Sequence, residues 1–378
     1  MSDLQPDKNT SVFVEGVFSR KERKDRKAGG PTSVSATIDR SGWKRVRLGE
    51  ALTNVGWCNY SHLQPRQVRK VTQGDDTGEV SITTDYYHPA SPVVLFGDHT
   101  CNVKYVDFDC LILGDGVKLL TPNHEVFSTR FLYYLVQYVA SKVPQGYARH
   151  LAVLKETECA LPCYEDQFKI ANAITSIDTH ISALQALIAK YEAIKKATVN
   201  LLLKPKTWWQ EKPLGDLAFI KTGGKNTQDA VSSGRYPFFV RSPNVERIDT
   251  YSYDGEAVLV AGDGVGAGKV FHYINGKHDC HQRVYRVKDF SPKVLGRYIY
   301  RVLSEQFPVY MERRNDKASV DSLRLPAFKG FPVYFPDVDE QKRIVAILDS
   351  IDNTISGLKS QLTKAQDIKQ GMMSHFFG

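Results

Sequence analysis

The sequence predicts an α+β fold in which two mixed α/β domains are separated by two long helices that form an antiparallel coiled coil. The first observation is a repeat, because the segment 167–190 recurs without a gap at 341–364. The second is that β-branched and aromatic residues, typical of strands, fill much of the chain before each copy. A long helix that occurs twice, with different segments between, indicates two different modules on one duplicated frame.

Residues 1–42 precede the first module and are predicted to form a basic N-terminal extension. The segment 19–35, SRKERKDRKAGGPTSVS, is polar, positively charged and interrupted by glycine and proline. It has no apolar periodicity, so we interpret it as a solvated tail. A DNA-binding or partner-binding arm is the alternative that this composition leaves open.

Each module opens on the same short pattern. Trp43 is followed by Leu-Gly-Glu at 48–50, and Trp209 is followed by Leu-Gly-Asp at 214–216. The repeated unit is therefore larger than the helix. The predicted boundaries are 43–164 for the first domain, 165–208 for the first long helix, 209–336 for the second domain and 337–378 for the second long helix.

Both domains contain strand-like segments that lead to one short helix. Their β-branched and aromatic residues lie between turn residues, which predicts strands at 91–98, 103–113, 116–122, 236–242, 256–263, 269–276 and 283–289. An amphipathic segment with helical spacing follows in each domain, at 130–143 and 293–307. A proline turn, Leu161-Pro162 or Phe331-Pro332, then precedes each long helix.

The long helices carry apolar residues at alternating steps of four and three, which is the heptad period of a coiled coil. Two equal stripes in one chain most simply pack on each other. The pairing must be antiparallel if each helix leaves its domain in the same way and the domains lie at opposite ends. The residues predicted to pair are Ile170, Ile174, Ile177, Ile181 and Leu184 with Ile344, Leu348, Ile351, Ile355 and Leu358.

A glycine-rich run at 262–269, GDGVGAGK, suggests a nucleotide site at first sight. It departs from the phosphate-binding loop because Asp263 stands in place of the first glycine and Val270 in place of the magnesium-binding Ser or Thr. It fits a looser dinucleotide pattern, but the segment that follows is strand-like. We therefore interpret the run as a strand-turn-strand whose backbone can approach a ligand. A Gly-Asp pair, Gly97-Asp98, also ends a predicted strand of the first domain, which favours an architectural role.

Composition limits the classes of partner. The net charge of +8 favours a polyanion such as nucleic acid. The six cysteines are scattered without a zinc-binding pattern, so no metal is expected. No apolar run is long enough to cross a bilayer, and the N-terminus has no signal-peptide core. We therefore expect a cytoplasmic protein without a membrane partner.

Together these features resemble the specificity subunit of type I restriction–modification enzymes. The resemblance covers nearly all of the chain from Trp43 onwards and is strongest in CYEDQFKIANAITSIDTHISAL (163–184) and PDVDEQKRIVAILDSIDNTISGL (336–358). It implies a chain without catalytic residues of its own. It also implies that the two α/β domains are target-recognition domains, each binding one half of a bipartite target in double-stranded DNA, and that the helices set the distance between the halves.

The resemblance also implies partners. Two methyltransferase (modification) subunits would dock on the helices, bind S-adenosylmethionine and methylate adenine, and restriction (motor-nuclease) subunits would join the full complex. This chain would bind no cofactor itself and would belong to a type I restriction enzyme and adenine-N6 DNA methyltransferase complex.

Candidate DNA contacts are side chains that can neutralise phosphates or hydrogen-bond with base edges. Each of them also fits a solvated surface position. The sets in the two domains differ in order and spacing, which predicts an asymmetric target. The candidates are Arg66, Arg69, Lys70, Thr83, Thr84, Lys104, Lys118 and Arg149 in the first domain, and Lys221, Thr222, Lys225, Arg241, Asn244, Arg283, Arg313, Arg314 and Lys317 in the second.

Two other functions remain open at this point. A stand-alone nucleic-acid-binding or scaffold protein with two β-rich modules on a coiled coil would have the same pattern. An enzyme that uses the glycine-rich run near Asp263 is the second. A methyltransferase that co-purifies with the chain would exclude the first, and nucleotide titration tests the second.

Overall fold

The structure, a computed structural model, describes residues 42–54, 66–74, 80–83, 92–112, 116–143, 149–313 and 322–378. The predicted extension at 1–42 lies outside the described residues, apart from Gly42. Regular structure begins at Lys44, directly after the Trp43 that opens the first module.

In its described residues, the first domain combines a four-stranded sheet, a three-stranded sheet and a separate strand pair with two short helices. Its strands are β1 (Lys44–Arg47), β2 (Leu52–Asn54), β3 (Arg66–Val71), β4 (Val80–Thr83), β5 (Val93–Gly97), β6 (Val103–Val106), β7 (Cys110–Ile112), β8 (Val117–Pro122) and β9 (Glu158–Leu161). Its helices are α1 (Thr129–Lys142) and α2 (Leu151–Glu156), and a short 3-10 turn spans Leu48–Ala51. The four-stranded sheet has the order β2-β8-β5-β6 and the three-stranded sheet the order β4-β3-β7, while β1 pairs with β9.

Strand β5 forms the centre of the first domain because both of its faces are buried. Side chains of a strand point alternately to opposite faces. Val94 and Phe96 accordingly pack in the core that contains α1, whereas Val93 and Leu95 pack with Val71 and other residues of the second sheet. The predicted strand 103–113 is two strands, β6 and β7, which belong to different sheets.

The second domain contains a six-stranded sheet of order β11-β16-β14-β15-β12-β13. All neighbours in it are antiparallel except β12 and β15. A separate pair, β10 and β17, is also antiparallel. The strands are β10 (Gln210–Pro213), β11 (Phe219–Thr222), β12 (Tyr236–Phe239), β13 (Val245–Ile248), β14 (Tyr253–Ala261), β15 (Phe271–Cys280), β16 (Val284–Lys288) and β17 (Pro332–Phe335), and the short helices are α4 (Leu214–Leu217), α5 (Gly296–Arg313) and α6 (Leu325–Lys329), with a 3-10 turn at Thr227–Asp229.

Strand β14 has the same central role in the second domain. Val258 and Val260 pack in the core that contains α5, and Ala257 and Leu259 pack on the other face of the sheet. The predicted strand-turn-strand around the glycine-rich run is confirmed, because β14 and β15 pair antiparallel on either side of it.

Helix α5 is longer than the predicted 293–307 and contains Pro308. Proline removes a helical hydrogen bond and normally ends a helix. Packing on both sides of the proline compensates here: Phe307 is fully buried, and the Tyr310 ring lies 5.1 Å from that of Phe331. The helix therefore continues to Arg313.

The two long helices are α3 (Tyr164–Leu202) and α7 (Val338–Phe377). Helix α3 ends at Leu202 rather than near the predicted 208. Leu203 turns into the core of the second domain, and Pro205 disfavours helical backbone at the residue before it. Each helix is about 60 Å long at 1.5 Å per residue.

Ion pairs between the helices fix their relative direction. They join Asp178 to Lys369 at 2.7 Å, Glu192 to Lys359 at 2.8 Å and Lys195 to Asp352 at 2.9 Å. The partner numbers fall in α7 as they rise in α3, so the helices are antiparallel. The predicted coiled-coil arrangement is confirmed in this respect.

The apolar stripe, however, is shared among three cores. In the middle of the pair, Leu184 and Ile188 pack with Leu358 and Ala365, with Ile181 alongside. Four other predicted pairing residues lie in the domain cores rather than in one continuous seam, while the pairing of Ile177, Ile351 and Ile355 stays a prediction. Ile170 and Ile174 lie in the first domain's core, Ile344 and Leu348 lie in the second domain's core, Ile355 is buried, and Ile177 and Ile351 are half-buried.

Each domain core also receives the far end of the other long helix. Met373 near the end of α7 packs in the first domain, and Val199 near the end of α3 packs in the second. The domains therefore lie at opposite ends of the helix pair, each held by the start of one helix and the end of the other. In the described part of the chain, none of the helices combines the length and apolarity needed to span a membrane.

Candidate nucleic-acid interface

The central strands of the two domains end in equivalent hydrogen-bonded junctions. In the first domain, Asp98 donates its backbone N–H to Gly116 at 2.7 Å, and its carbonyl accepts from the N–H of His150 at 3.0 Å. In the second domain, Gly262 donates to Arg283 at 2.9 Å. The carbonyl of Gly262 accepts in the same way from a residue just before α6, at 2.8 Å. Asp98 and Gly262 are therefore structural counterparts.

This register corrects the simple pairing of the two Gly-Asp sequences, because Asp263 lies one position beyond the counterpart of Asp98. The two carboxylates have different tasks. Asp98 is 4% exposed and accepts from the N–H of Leu151 at 2.7 Å, so it holds the start of α2. Asp263 instead faces two arginines.

Asp263 organises the charged groups at the end of the second domain's sheet. Its carboxylate pairs with Arg283 and, at 3.3 Å, with Arg241, and it accepts from the N–H of Gly264 at 2.8 Å. The hydrogen bond from Arg283 is the largest of the effects that lower the pKa of Asp263. The aspartate is consequently ionised and holds both guanidinium groups at one place.

Further candidates of the second domain meet at the same end of the sheet. The carbonyl of Lys225 accepts from the N–H of Gln282 at 2.8 Å, next to Arg283. Asn244 belongs to the exposed loop after β12 that also carries Arg241, and its N–H bonds to Ser242 at 2.9 Å. Lys221 and Thr222 are exposed on the neighbouring β11.

Three residues of this cluster were missed by sequence reasoning. The side chain of Gln282 donates to that of Asn226 at the surface. His281 is buried beside them, and burial together with the charges of Arg241 and Arg283 lowers its pKa. The polar run between two predicted strands, HDCHQR at 278–283, was the signal that could have indicated Gln282 and His281; nothing in the sequence distinguishes Asn226.

The first domain has a basic cavity at its equivalent junction, with a volume of about 440 Å³. Asp98 and Gly116 of the junction line it. Two of the candidate cations, Lys118 and Arg149, line it together with Lys155 of α2, which sequence reasoning also missed. A lysine in a short helix has the same local pattern as a solvated one, so only the fold identifies it. Both domains therefore place clustered cations at the same end of their central sheets.

Other candidates of the first domain lie elsewhere. The ammonium of Lys104 donates to the carbonyls of Thr72, at 2.8 Å, and of Gly74. Arg69 stacks on the ring of Phe108, with 4.6 Å from its guanidinium carbon to the ring centre. The neighbouring Lys70 is half-buried in the same three-stranded sheet. The described contacts give Lys104 partners just after β3 and give Arg69 a partner just before β7.

The remaining candidates have less structural context. Arg66 lies in β3 and Thr83 in β4, but their side chains are outside the described part. Thr84, Arg314 and Lys317 are outside the described residues altogether. Arg313 is exposed at the end of α5, and no described contact joins it to the cluster around Asp263.

A larger cavity, of about 830 Å³, lies between the first domain and the last part of α7. The one carboxylate in its described lining, Asp178, is already paired with Lys369. Among the described residues, no group of three or more His, Cys, Asp or Glu side chains is placed to hold a metal ion. The cation clusters at the sheet ends are therefore the better candidate for a functional surface.

Comparisons with known proteins agree with this architecture. Residues 206–365 match the type I restriction modification DNA specificity domain. The specificity subunit of the type I restriction enzyme EcoDI from Escherichia coli is 26% identical over 160 residues, which are 42% of this chain and only 35% of that protein. The EcoR124I/EcoR124II specificity subunit from Escherichia coli is 22% identical over 327 residues, covering 77% of this chain and 80% of that one.

Solved structures share the fold over a larger part of the chain. The S subunit of a type I restriction-modification system from M. genitalium superposes with a TM-score of 0.68 at 14% identity, covering 92% of this chain and 98% of that one. A chain from a structure of complex assembly and conformational transition in the type I R-M system superposes with a TM-score of 0.50 at 16% identity, covering 89% and 98%. At these identities the likeness establishes the fold.

Proposed function

The chain belongs to the specificity subunits of type I restriction–modification systems, and from this premise we propose that its two domains bind the two halves of an asymmetric target in double-stranded DNA. The observation that carries the proposal is the placement of cations at equivalent sheet ends of two domains held apart by one helix pair. In the first domain these are Lys118, Arg149 and Lys155; in the second they include Arg241 and Arg283.

The chemistry of these groups suits DNA. Lysine and arginine neutralise phosphates and release counterions, which supplies much of the affinity. Arginine, asparagine and glutamine can also make paired hydrogen bonds with base edges in the major groove. The second domain offers such groups in Arg241, Arg283, Asn226 and Gln282, whereas the described cavity of the first domain offers mainly lysine and arginine. Different groups at equivalent positions support two different half-sites.

In the proposed complex, the helix pair sets the distance between the half-sites and docks two methyltransferase subunits. Apolar residues that the repeat places alike on the two helices support similar docking surfaces: Ile194 is 39% exposed on α3, and Ile368 is 53% exposed on α7. The methyltransferase subunits would bind S-adenosylmethionine and modify adenine, and restriction subunits would complete the complex. A DNA target of this kind implies a cytoplasmic protein.

The test is methylation by a reconstituted complex. The chain is co-expressed with a type I methyltransferase subunit, and methylated adenines are mapped across the host DNA by single-molecule sequencing. We expect one bipartite asymmetric motif that appears only when the chain is present. Methylation without the chain, or a motif in one piece, would contradict the proposal.

Lengthening the helix pair separates spacing from recognition. Inserting one heptad into both α3 and α7 within the central contact of Leu184, Ile188, Leu358 and Ala365 should change the number of unspecified bases between the halves. The sequences of the halves should stay the same, because the sheet ends are untouched. The matched control is an insertion of the same residues after Phe377, which should leave the motif unchanged.

A further inference from the structure

We propose that the turn between β14 and β15 enters the major groove of DNA and that Val265 at its tip contacts the methyl group of a thymine in the target. This inference rests on the proposed function and deepens it, because it names a base that the second domain recognises. Val265 is 97% exposed, more than any other large apolar side chain of the described residues. Isolated exposed valines are common, so the argument depends on what surrounds this one.

The sheet order places an arginine on each side of the turn. Strands β14 and β15 are flanked by β16 on one side and β12 on the other. Arg283 stands just before β16, Arg241 stands just after β12, and both reach Asp263 at the base of the turn. The two arginines approach from strands on opposite sides, and their guanidinium groups meet at one carboxylate oxygen of Asp263. Two cations and one carboxylate leave the base of the turn positively charged, which favours a position beside the phosphates of a groove. The major groove is about 12 Å wide and admits a two-stranded ribbon.

The turn is held in one shape before any ligand binds. Gly268 donates its N–H to Ala261 at 2.8 Å, and Ala267 donates to Gly264 at 2.9 Å. A Cβ added at Gly266 would lie 2.7 Å from the carbonyl oxygen of Arg241, so the turn packs closely on that strand end. A preformed element loses less conformational entropy on binding than a flexible one.

Val265 is apolar at a position where folding does not require it. Its side chain contributes no buried area, and its neighbours at the tip are glycines and Asp263. The apolar group that DNA presents to a protein is the thymine methyl, which lies in the major groove and marks an A·T pair. Among the base features of the major groove, a valine side chain is therefore complementary to this one.

The first domain has no such tip at its equivalent turn. The chain there passes from Asp98 to Asn102 through His99, Thr100 and Cys101. Instead of a projecting turn, that junction has the basic cavity lined by Lys118 and Arg149. The contact assigned to Val265 is consequently specific to one half of the target.

The experiment removes one methyl group from each partner in turn. The target motif is first mapped with the wild-type chain and its methyltransferase subunits. Each thymine of a target duplex is then replaced singly by uracil, which lacks only the methyl group, and the affinity of the purified complex is measured by competition. We expect one replacement, in one half, to weaken wild-type binding about fourfold, as for one buried methyl group.

The Val265→Ala complex should bind the unmodified target more weakly than wild type and should lose its response to that same replacement. Val265→Ile should retain the response. Val153→Ala is the matched control, because Val153 is 52% exposed in the first domain and should leave the response unchanged.

The outcomes distinguish this inference from the proposed function. If no motif depends on the chain, the proposed function itself fails. If a motif is found but no uracil replacement affects binding, or if Val265→Ala keeps the wild-type response, the DNA-specificity role stands and the assignment of Val265 is wrong. A target without any thymine in either half would also overturn it.

Discussion

The two halves of the molecule use the same buried glutamine to attach a domain to its long helix. Gln167 in α3 accepts from the N–H of Ser128 at 3.0 Å, and Gln341 in α7 accepts from the N–H of Leu295 at 2.9 Å. Each amide also donates to two carbonyls, one before the short helix and one just before the long helix. The glutamines occupy equivalent positions of the repeat.

The halves differ at the sixth residue after the one whose N–H each glutamine accepts. Tyr134 of α1 bonds to Asp178 at 2.9 Å and to the hydroxyl of Thr175 at 3.0 Å. The residue at the same distance after Leu295 is Arg301 of α5, which pairs with two aspartates, Asp349 and Asp352. The neutral Tyr134 contacts one hydroxyl and one carboxylate, whereas the Arg301 guanidinium contacts two carboxylates. The residue of the short helix therefore differs together with the residues of the long helix that it contacts, whereas the glutamine contacts are the same in both halves.

The largest expected loss of stability comes from replacing Arg301, the charged residue of this pair. Arg301 is 5% exposed, and Arg301→Met would leave two carboxylates at the junction without it. We expect the free energy of unfolding of the second domain to fall by about 3 kcal/mol, as when one partner of a buried ion pair is removed. Urea denaturation followed by tryptophan fluorescence near Trp209 measures it.

The matched change in the first half is Tyr134→Phe. It removes one hydrogen bond and keeps the ring, so the expected loss is about 1 kcal/mol. Equal losses for the two variants would show that the charged and the neutral junctions contribute alike, and the comparison would fail.

Replacing Gln341 or Gln167 should give the next largest loss of stability. Gln341→Leu leaves the N–H of Leu295 and two carbonyls without their described partner, at a cost of about 2 kcal/mol for stranded buried polar groups. Gln167→Leu should cost the same within error, because its contacts are equivalent. Thermal unfolding of both variants tests this. A loss confined to one half would mean that the repeat preserved the residue but not its role.

Acid should weaken the charged junction. Burial alone would raise the pKa of Asp349 and Asp352, but hydrogen bonds from Arg301 together with Arg297 or Lys195 lower it below its usual value of 3.8. A carboxylate with a lowered pKa contributes stability above its unfolded-state pKa and loses it as the pH falls through the folded-state pKa. The stability difference between wild type and Arg301→Met should be constant near pH 7 and shrink below about pH 4. A difference that does not change with pH would contradict this origin.

The sequence predicted the paired long helices and the strand-rich domains well because these features follow from the spacing of residues that are close in the chain. The recurring glutamine, the apolar stripe and the strand-like segments follow from local spacing, and the structure contains them. The apolar stripe of the long helices does not indicate which residues pack against it. Ile170 and Ile174 fit a coiled-coil seam as well as Leu184 does, yet they pack in the first domain.

The candidate DNA contacts stay predictions, and the sequence could not show their surroundings because these depend on distant parts of the chain. Lys104 has the composition of a surface cation, but carbonyls some thirty residues earlier in the chain bind its ammonium. Lys155 and Gln282 become candidates only when the fold brings them to the sheet ends. The correspondence of Tyr134 with Arg301 likewise appears only after α1 and α5 are placed on their long helices.

The smallest effect concerns the lysines that cross between the helices. The repeat places Lys195 opposite Asp352 at 2.9 Å and Lys369 opposite Asp178 at 2.7 Å, with all four side chains about a third exposed or less. Partly exposed pairs contribute about 0.5 to 1 kcal/mol. Replacing Lys369 by Met should nevertheless cost more than replacing Lys195 by Met, because Asp352 retains Arg301 whereas Asp178 retains only the neutral Tyr134.

Charge compensation can be separated from loss of packing by combining variants. In the background of Arg301→Met, the cost of Lys195→Met should rise to match that of Lys369→Met, since each aspartate then has one cationic partner from across the helix pair. Lys359→Met is the control, because Lys359 and Glu192 are more than half exposed and their pair should contribute almost nothing. If the cost of Lys195→Met is the same with and without Arg301, the two junctions are electrostatically independent of the helix pairing. The difference between the two domain–helix junctions would then have to be explained by hydrogen-bond geometry alone.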